Sequence, residues 1–186
     1  VVNQDKQLAG WVLQAQEGSE AAFVHLYDYF LDKIFRFVSF RIADRELAKE
    51  VTNEIFFEAW KSLKRYDSKK KVKFSTWLFT IARYTIIDQY RRKKVPTVSF
   101  EHVAEIRNEN YDLHEKVIAQ DKIDFVYQNI SQLSEIQQTV LQLRYIEELS
   151  HAEIANIVNK TEGNVRIMVK RALEKLRKII SRNEKN

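Results

Sequence analysis

The sequence predicts an all-α chain folded as two small helical domains joined by a linker, and three observations carry that expectation. Only 3 glycines and 1 proline occur in 186 residues, too few to build the turns of a β-rich fold or a glycine-lined phosphate loop. Apolar residues recur at three- and four-residue steps over long stretches, the period of a helix and not the alternation of a strand. The single proline, Pro96, falls in a mixed, acidic segment that interrupts this period. With 45% hydrophobic and 12% aromatic residues the chain can bury a core, and its 31% charged residues argue against a membrane protein.

The elements follow in order. Ser19 caps a helix reaching to about residue 42, on which Phe23, Leu26, Tyr27, Phe30, Ile34, Phe37 and Val38 share a face. A second helix starts at Asp44 and runs to about Tyr66, with Leu47, Val51, Ile55, Ala59 and Leu63 inward. Residues 64–73 break the period. A third helix begins at Ser75, turns Leu78, Ile81, Ala82 and Ile86 to the core, and ends in Arg91, Arg92, Lys93 and Lys94 before Pro96. The expected organisation is a first domain over 1–95, a linker over 96–112 and a second domain over 113–186.

In the second domain Leu113, Val117, Ile123, Val126 and Ile130 restore the helical pattern. Two capping boxes, Ser134 with Gln137 and Ser150 with Glu153, mark further helix starts. From Ser150 a short helix carries Ile154, Ala155 and Val158, a tight turn falls at Asn159 and Lys160, and Thr161 caps a longer basic helix. That is the helix-turn-helix arrangement. Its second helix turns Val165, Val169, Ala172, Leu173, Leu176, Ile179 and Ile180 inward and leaves Gly163, Ile167, Lys170 and Glu174 outward, flanked by Asn164, Arg166 and Arg171. Such a face suits the major groove, where Arg reads guanine, Asn reads adenine and an apolar tip touches a thymine methyl.

Charge is segregated along the chain. Residues 1–60 carry net −4, residues 61–94 net +10, residues 95–128 net −4, residues 129–159 net −3 and residues 160–186 net +6. A single lysine-rich block is as readily a solvated face as a polyanion site, and basic residues at a helix C-terminus also suit the dipole. Two blocks in different domains, the first interleaved with Tyr66, Phe74, Trp77, Phe79, Tyr84 and Tyr90, point to nucleic acid.

Two ordered motifs then resemble a known family. Leu133-Ser134 through Leu143-Arg144, Leu149-Ser150 through Ile154-Ala155, and Val165 through Leu176-Arg177 resemble region four of bacterial sigma factors. Ala48 through Trp60 resembles the region-two helix of the same family, and Phe74, Trp77-Leu78, Ile81-Ala82-Arg83 and Asp88 to Arg92 resemble its adjoining helix. Two such halves with no room for a region-three domain is the layout of the extracytoplasmic-function (ECF) type. Departures from the family pattern are Asn53 for a usual Gln, Tyr84 for a usual Asn and Asn159 for a usual Gly.

The resemblance implies a factor that binds core RNA polymerase, recognises and melts specific promoters and directs transcription initiation. It implies contacts of Glu50, Asn53, Glu54 and Phe57 with the clamp helices of the β′ subunit, and of region four with the β flap. It places Lys69, Lys70, Lys71, Lys73, Phe74, Trp77, Arg83, Tyr84, Arg91 and Arg92 at the minus-ten element. Thr161, Gly163, Asn164, Arg166, Ile167, Lys170 and Arg171 fall at the minus-thirty-five element. Promoter melting needs phosphate contacts and ring faces for unstacked bases, though aromatics at helical spacing are also core. Glu46, Glu50, Glu54 and Glu58, at four-residue steps, are expected on one face, either solvated or turned to the clamp. An anti-sigma factor is an expected partner.

The rival reading is a stand-alone helix-turn-helix regulator that dimerises and needs no polymerase. An enzyme has little support, and no catalytic residue, cofactor or metal is expected. His25, His102, His114 and His151 are scattered, and cysteine is absent. With no run of about 18 apolar residues and no signal-like start, the expectation is a cytoplasmic protein without membrane insertion.

Overall fold

The computed structural model describes residues 2–42, 44–67, 72–93, 129–130 and 132–183. The chain divides into two units, Val1–Thr97 and Val98–Asn186. The expected linker over 96–112 and the helical pattern from Leu113 to Val126 lie outside the described residues.

The first unit holds four α-helices among its described residues: α1 (Val2–Gln16), α2 (Glu20–Ser39), α3 (Arg45–Ser62) and α4 (Phe74–Lys93). Helix α1 has no counterpart in the sequence reading. Among its described side chains only Val12 and Ala15 are buried, too narrow a stripe to stand out by period. It is held instead by particular contacts. Gln16 Nε2 donates to the Leu63 carbonyl at 3.0 Å, and Trp11 stacks on His25 with centroids 5.0 Å apart. The turn into α2 needs φ of +102° at Gly18, a conformation available to a residue without Cβ. Ser19 then caps α2, its hydroxyl accepting from the Ala22 N–H at 3.2 Å.

Helix α2 is the spine of this unit. Leu26, Phe30, Ile34, Phe37 and Val38 are all buried, and Phe37 meets Phe79 of α4 edge to face at 5.2 Å. At its end the buried Arg41 lies with Cζ 4.0 Å from the Phe37 ring centroid and donates to the Phe37 carbonyl at 2.7 Å. Tyr90 of α4 donates to the Arg41 carbonyl at 2.6 Å. The buried guanidinium thus has a carbonyl acceptor and a ring face in place of water, while Tyr90 satisfies the backbone carbonyl of the same residue.

Asp44 caps α3, accepting from Leu47 N–H at 3.0 Å. Ala48, Val51, Ile55 and Ala59 form its buried stripe, joined by Phe56 and Thr52. The helix expected to reach Tyr66 stops at Ser62, and a 3-10 turn at Leu63–Arg65 completes the stretch. Helix α4 closes the core with Phe74, Leu78, Phe79, Ala82 and Ile86, while Ile81 is half-buried.

The described part of the second unit contains α5 (Glu135–Tyr145), α6 (His151–Val158) and α7 (Glu162–Asn183). Both capping boxes are present. The Ser134 N–H donates to Gln137 Oε1 at 3.1 Å, and Ser150 exchanges bonds with Glu153 at 3.2 and 2.8 Å. The core comprises Val140 and Leu143 of α5, Ile154, Ile157 and Val158 of α6, and Val165, Val169, Ala172 and Leu176 of α7. Leu173, Ile179 and Ile180 are half-buried. Asn183 Nδ2 donates to Asn129 Oδ1 at 2.6 Å, tying the end of α7 back to the start of the described segment.

The α6-to-α7 turn rests on Asn159, in the left-handed region at φ +53° and ψ +55°. The backbone then returns an N–H from Lys160 to the Ala155 carbonyl at 3.0 Å. Asn tolerates that region better than other residues with a Cβ. Asn159→Gly should leave stability within a few tenths of a kcal/mol, whereas Asn159→Val should cost about 1–2 kcal/mol by denaturant unfolding. No helix among the described residues is long and apolar enough to cross a membrane.

Candidate functional site

Helix α7 separates its two faces cleanly. Val165, Val169, Ala172 and Leu176 are buried, and Thr161, Gly163, Asn164, Arg166, Ile167, Lys170 and Arg171 are all exposed. Thr161 caps the helix, its hydroxyl accepting from the Asn164 N–H at 3.3 Å. Arg166 pairs with Glu162 at 2.6 Å, and Lys170 reaches Glu174 at 4.0 Å. Ile167 is 51% exposed amid these polar groups, an apolar tip that the fold does not cover. A Cβ on Gly163 would meet nothing within 4 Å and its φ is ordinary, so packing does not require glycine there. The face is accordingly narrow and open, polar except at Ile167, and tightly bound to its core by the apolar stripe behind it.

The minus-ten candidates are split by the fold. Arg91 and Arg92 are exposed at the end of α4, Lys73 is exposed before it, and Tyr84 is 50% exposed on its side. Arg83 is half-buried, with Cζ 5.7 Å from the Tyr84 ring centroid. Phe74 is a correction. Its ring is buried, 5.5 Å from Phe30, 5.7 Å from Tyr66 and 5.4 Å from Trp77, so it belongs to the aromatic core and offers no free face. Trp77 is half-buried against Tyr66 at 5.2 Å. Lys69, Lys70 and Lys71 lie outside the described residues.

The segment before α4 is anchored by Tyr66, whose hydroxyl donates to the Val72 carbonyl at 2.7 Å. Burial, and then the neighbouring Asp67 carboxylate, hold its pKa above the ordinary 10.0. Because the folded value is the higher one, the neutral phenol's contribution to stability is complete below the unfolded value. It is lost as pH rises through the folded one. Unfolding followed above pH 10 should show this loss in the native chain and a flatter profile in Tyr66→Phe.

On α3, Glu50 and Asn53 are exposed and Phe57 is 59% exposed, with Lys61 Nζ 5.1 Å from its ring centroid. Asn53 Oδ1 accepts from the Tyr27 hydroxyl at 3.3 Å. The expectation that Glu46, Glu50, Glu54 and Glu58 share one face does not hold. Each four-residue step overshoots a full turn, so three steps swing the row by about 120°. Glu46 pairs with Lys49 at 2.8 Å on the outer side. Glu54 is turned toward α4, where it accepts from Gln89 Nε2 at 2.7 Å and lies 3.8 Å from Arg92. Glu54 and Glu58 line a groove of about 410 Å³ between α3 and α4, with Trp77, Ile81, Tyr84 and Arg92 opposite. The sequence reading also missed Tyr27 and Gln89, whose roles depend on contacts between helices distant in sequence.

The chain thus holds two helical units, one ending in a helix-turn-helix with an exposed polar face on α7 and one with exposed basic and aromatic side chains on α4 beside α3. Residues 26–95 match Sigma-70 region 2 and residues 130–178 match Sigma-70 region 4. The RNA polymerase sigma-H factor of Pseudomonas aeruginosa is 30% identical over 186 residues, covering 95% of this chain and 94% of that protein. The ECF RNA polymerase sigma factor SigW of Bacillus subtilis is 29% identical over 176 residues, covering 90% and 93%. The solved sigma factor RpoE of Bartonella quintana, crystallised with the anti-sigma factor NepR, shares the fold with TM-score 0.66 and 17% identity, over 86% of this chain and 96% of that one. The chain belongs to the sigma-70 family of RNA polymerase sigma factors, as an ECF-type member that directs transcription initiation. The stand-alone dimeric regulator is disfavoured by the region-two match.

Proposed function

We propose a division of labour among three surfaces of this sigma factor. The outer face of α3, with Glu50, Asn53 and Phe57 at its centre and Glu54 at its edge, docks on the β′ clamp helices. The α4 surface, with Lys73, Trp77, Arg83, Tyr84, Arg91 and Arg92, holds the opened minus-ten element, and Lys69, Lys70 and Lys71, which precede it in the sequence, add phosphate contacts. Helix α7 reads the minus-thirty-five element through Thr161, Gly163, Asn164, Arg166, Ile167, Lys170 and Arg171, and the rest of its unit meets the β flap. The working modules are residues 1–95 and 113–186, joined through 96–112, acting in the cytoplasm. An anti-sigma factor is the expected inhibitor, as NepR accompanies RpoE in its solved complex.

The observation that carries this reading is the exposure of the α7 face around Ile167 while its opposite stripe is buried. An apolar tip among the polar groups of that face suits a thymine methyl in the major groove, beside base-edge contacts from Arg166 and Asn164. Two small contact sets joined by a linker also gain effective concentration only when their spacing is fixed. Free chain is therefore expected to bind promoters weakly and polymerase-bound chain tightly. Reconstitution with core polymerase and a promoter library tests it: start-specific transcripts sharing two spaced elements support the reading, and transcripts without a shared upstream element reject the α7 assignment.

A further inference from the structure

Resting on the assignment of α7 to the upstream element, we propose that Glu162 is a specificity-determining residue that works as a unit with Arg166. The unit selects a guanine together with the amino group of an adjacent cytosine. Glu162 opens α7 and is exposed on the same side as the recognition face. Its Oε1 holds Arg166 Nη2 at 2.6 Å, with side chains 46% and 66% exposed respectively. In water such a pair adds only about 0.3–0.5 kcal/mol, so folding gives little reason for it.

Its consequence for recognition is larger. A guanidinium carries five N–H donors in a planar fork. With one donor engaged by Glu162, one orientation of the guanidinium is favoured and the remaining donors are left for the O6 and N7 acceptors of guanine. A carboxylate beside them is an acceptor only. It is repelled by phosphates and by the acceptor edges of guanine and thymine, and in the major groove a cytosine N4 amino group suits it. The tips of the two side chains meet at 2.6 Å, closer than the rise of about 3.4 Å between neighbouring base pairs. They must therefore address the same base pair or its immediate neighbour. The carboxylate also discourages use of the α7 N-terminus as an indiscriminate phosphate site, which a helix start otherwise provides.

The test uses the full chain bound to core polymerase, with base preference measured at each position of a randomised upstream element. Glu162→Ala should erase the cytosine preference at one position, a loss of about five- to a hundredfold in discrimination. Glu162→Gln should move that preference toward adenine, since an amide both donates and accepts. Arg166→Ala should erase the guanine preference at the same or the adjacent position. An acidic residue serving only the helix dipole predicts instead a uniform drop at every position, and that result overturns the inference. If Arg166→Ala changes preference and the Glu162 variants do not, this inference fails alone. If none of the three changes any preference, the assignment of α7 fails with it.

Discussion

Replacing Phe57 and Asn53 together by alanine is expected to weaken binding to core polymerase by about thirtyfold or more, equivalent to about 2 kcal/mol. Phe57 is the most exposed large apolar side chain on α3, at 59%, and Asn53 lies one turn before it on the same side. An exposed phenylalanine flanked by Glu50 and Lys61 matches the composition of an energetic centre: a ring to desolvate within a polar surround. Fold stability should change little, because neither side chain is buried. Equilibrium titration of labelled chain with core enzyme measures the first effect, and urea unfolding measures the second. Glu54→Ala should behave differently. Its carboxylate is engaged by Gln89 and Arg92 within the first unit, so its loss also disturbs the α3–α4 groove.

Replacing Arg166 and Lys170 by alanine should reduce transcription from promoters that depend on the upstream element by about 5- to 150-fold. Both side chains project from the exposed face of α7. The reduction should have two separable parts. Loss of a base-reading arginine relaxes preference at one position, while loss of a phosphate-facing lysine lowers affinity evenly and reduces the salt slope by about one. Run-off transcription and salt-dependent promoter binding by the reconstituted holoenzyme distinguish the two. The basic residues further along α7, Lys175, Arg177, Lys178 and Arg182, belong with the second part.

Features that depend on local chemistry were the ones legible in the sequence. Ser19 caps the helix it is expected to cap, the helix expected to start at Asp44 does so with Asp44 as its cap, and Ser134 and Ser150 close the expected boxes. In each case the cap satisfies backbone donors within three residues of itself. Helix α7 is legible for a related reason: its buried stripe of Val165, Val169, Ala172 and Leu176 is continuous, so which side chains face outward follows by elimination. What failed to show depends on distance. Helix α1 buries too few of its described residues to announce itself, and its contact from Gln16 reaches 47 residues along the chain to Leu63. Phe74 sits in a basic, aromatic stretch that reads as a base platform, yet Phe30, from α2 far earlier in the chain, packs on it together with Tyr66 of the same stretch and encloses it. The row of glutamates on α3 was misread because four-residue spacing is not quite a turn, and the drift brings Glu54 to Gln89.

The central claim is that core binding and upstream-element reading reside on different surfaces, α3 and α7. The most direct measurement is a matched set of four proteins: native, the Phe57/Asn53 alanine pair, the Arg166/Lys170 alanine pair and all four substitutions combined. Each is titrated with core polymerase and then assayed for base preference in the upstream element. The account predicts that the first pair lowers core affinity alone, the second alters base preference alone, and the combined protein shows both effects unchanged in size. Loss of core affinity from the α7 pair equal to that from the α3 pair would contradict it, as would an unaltered upstream preference in the α7 pair.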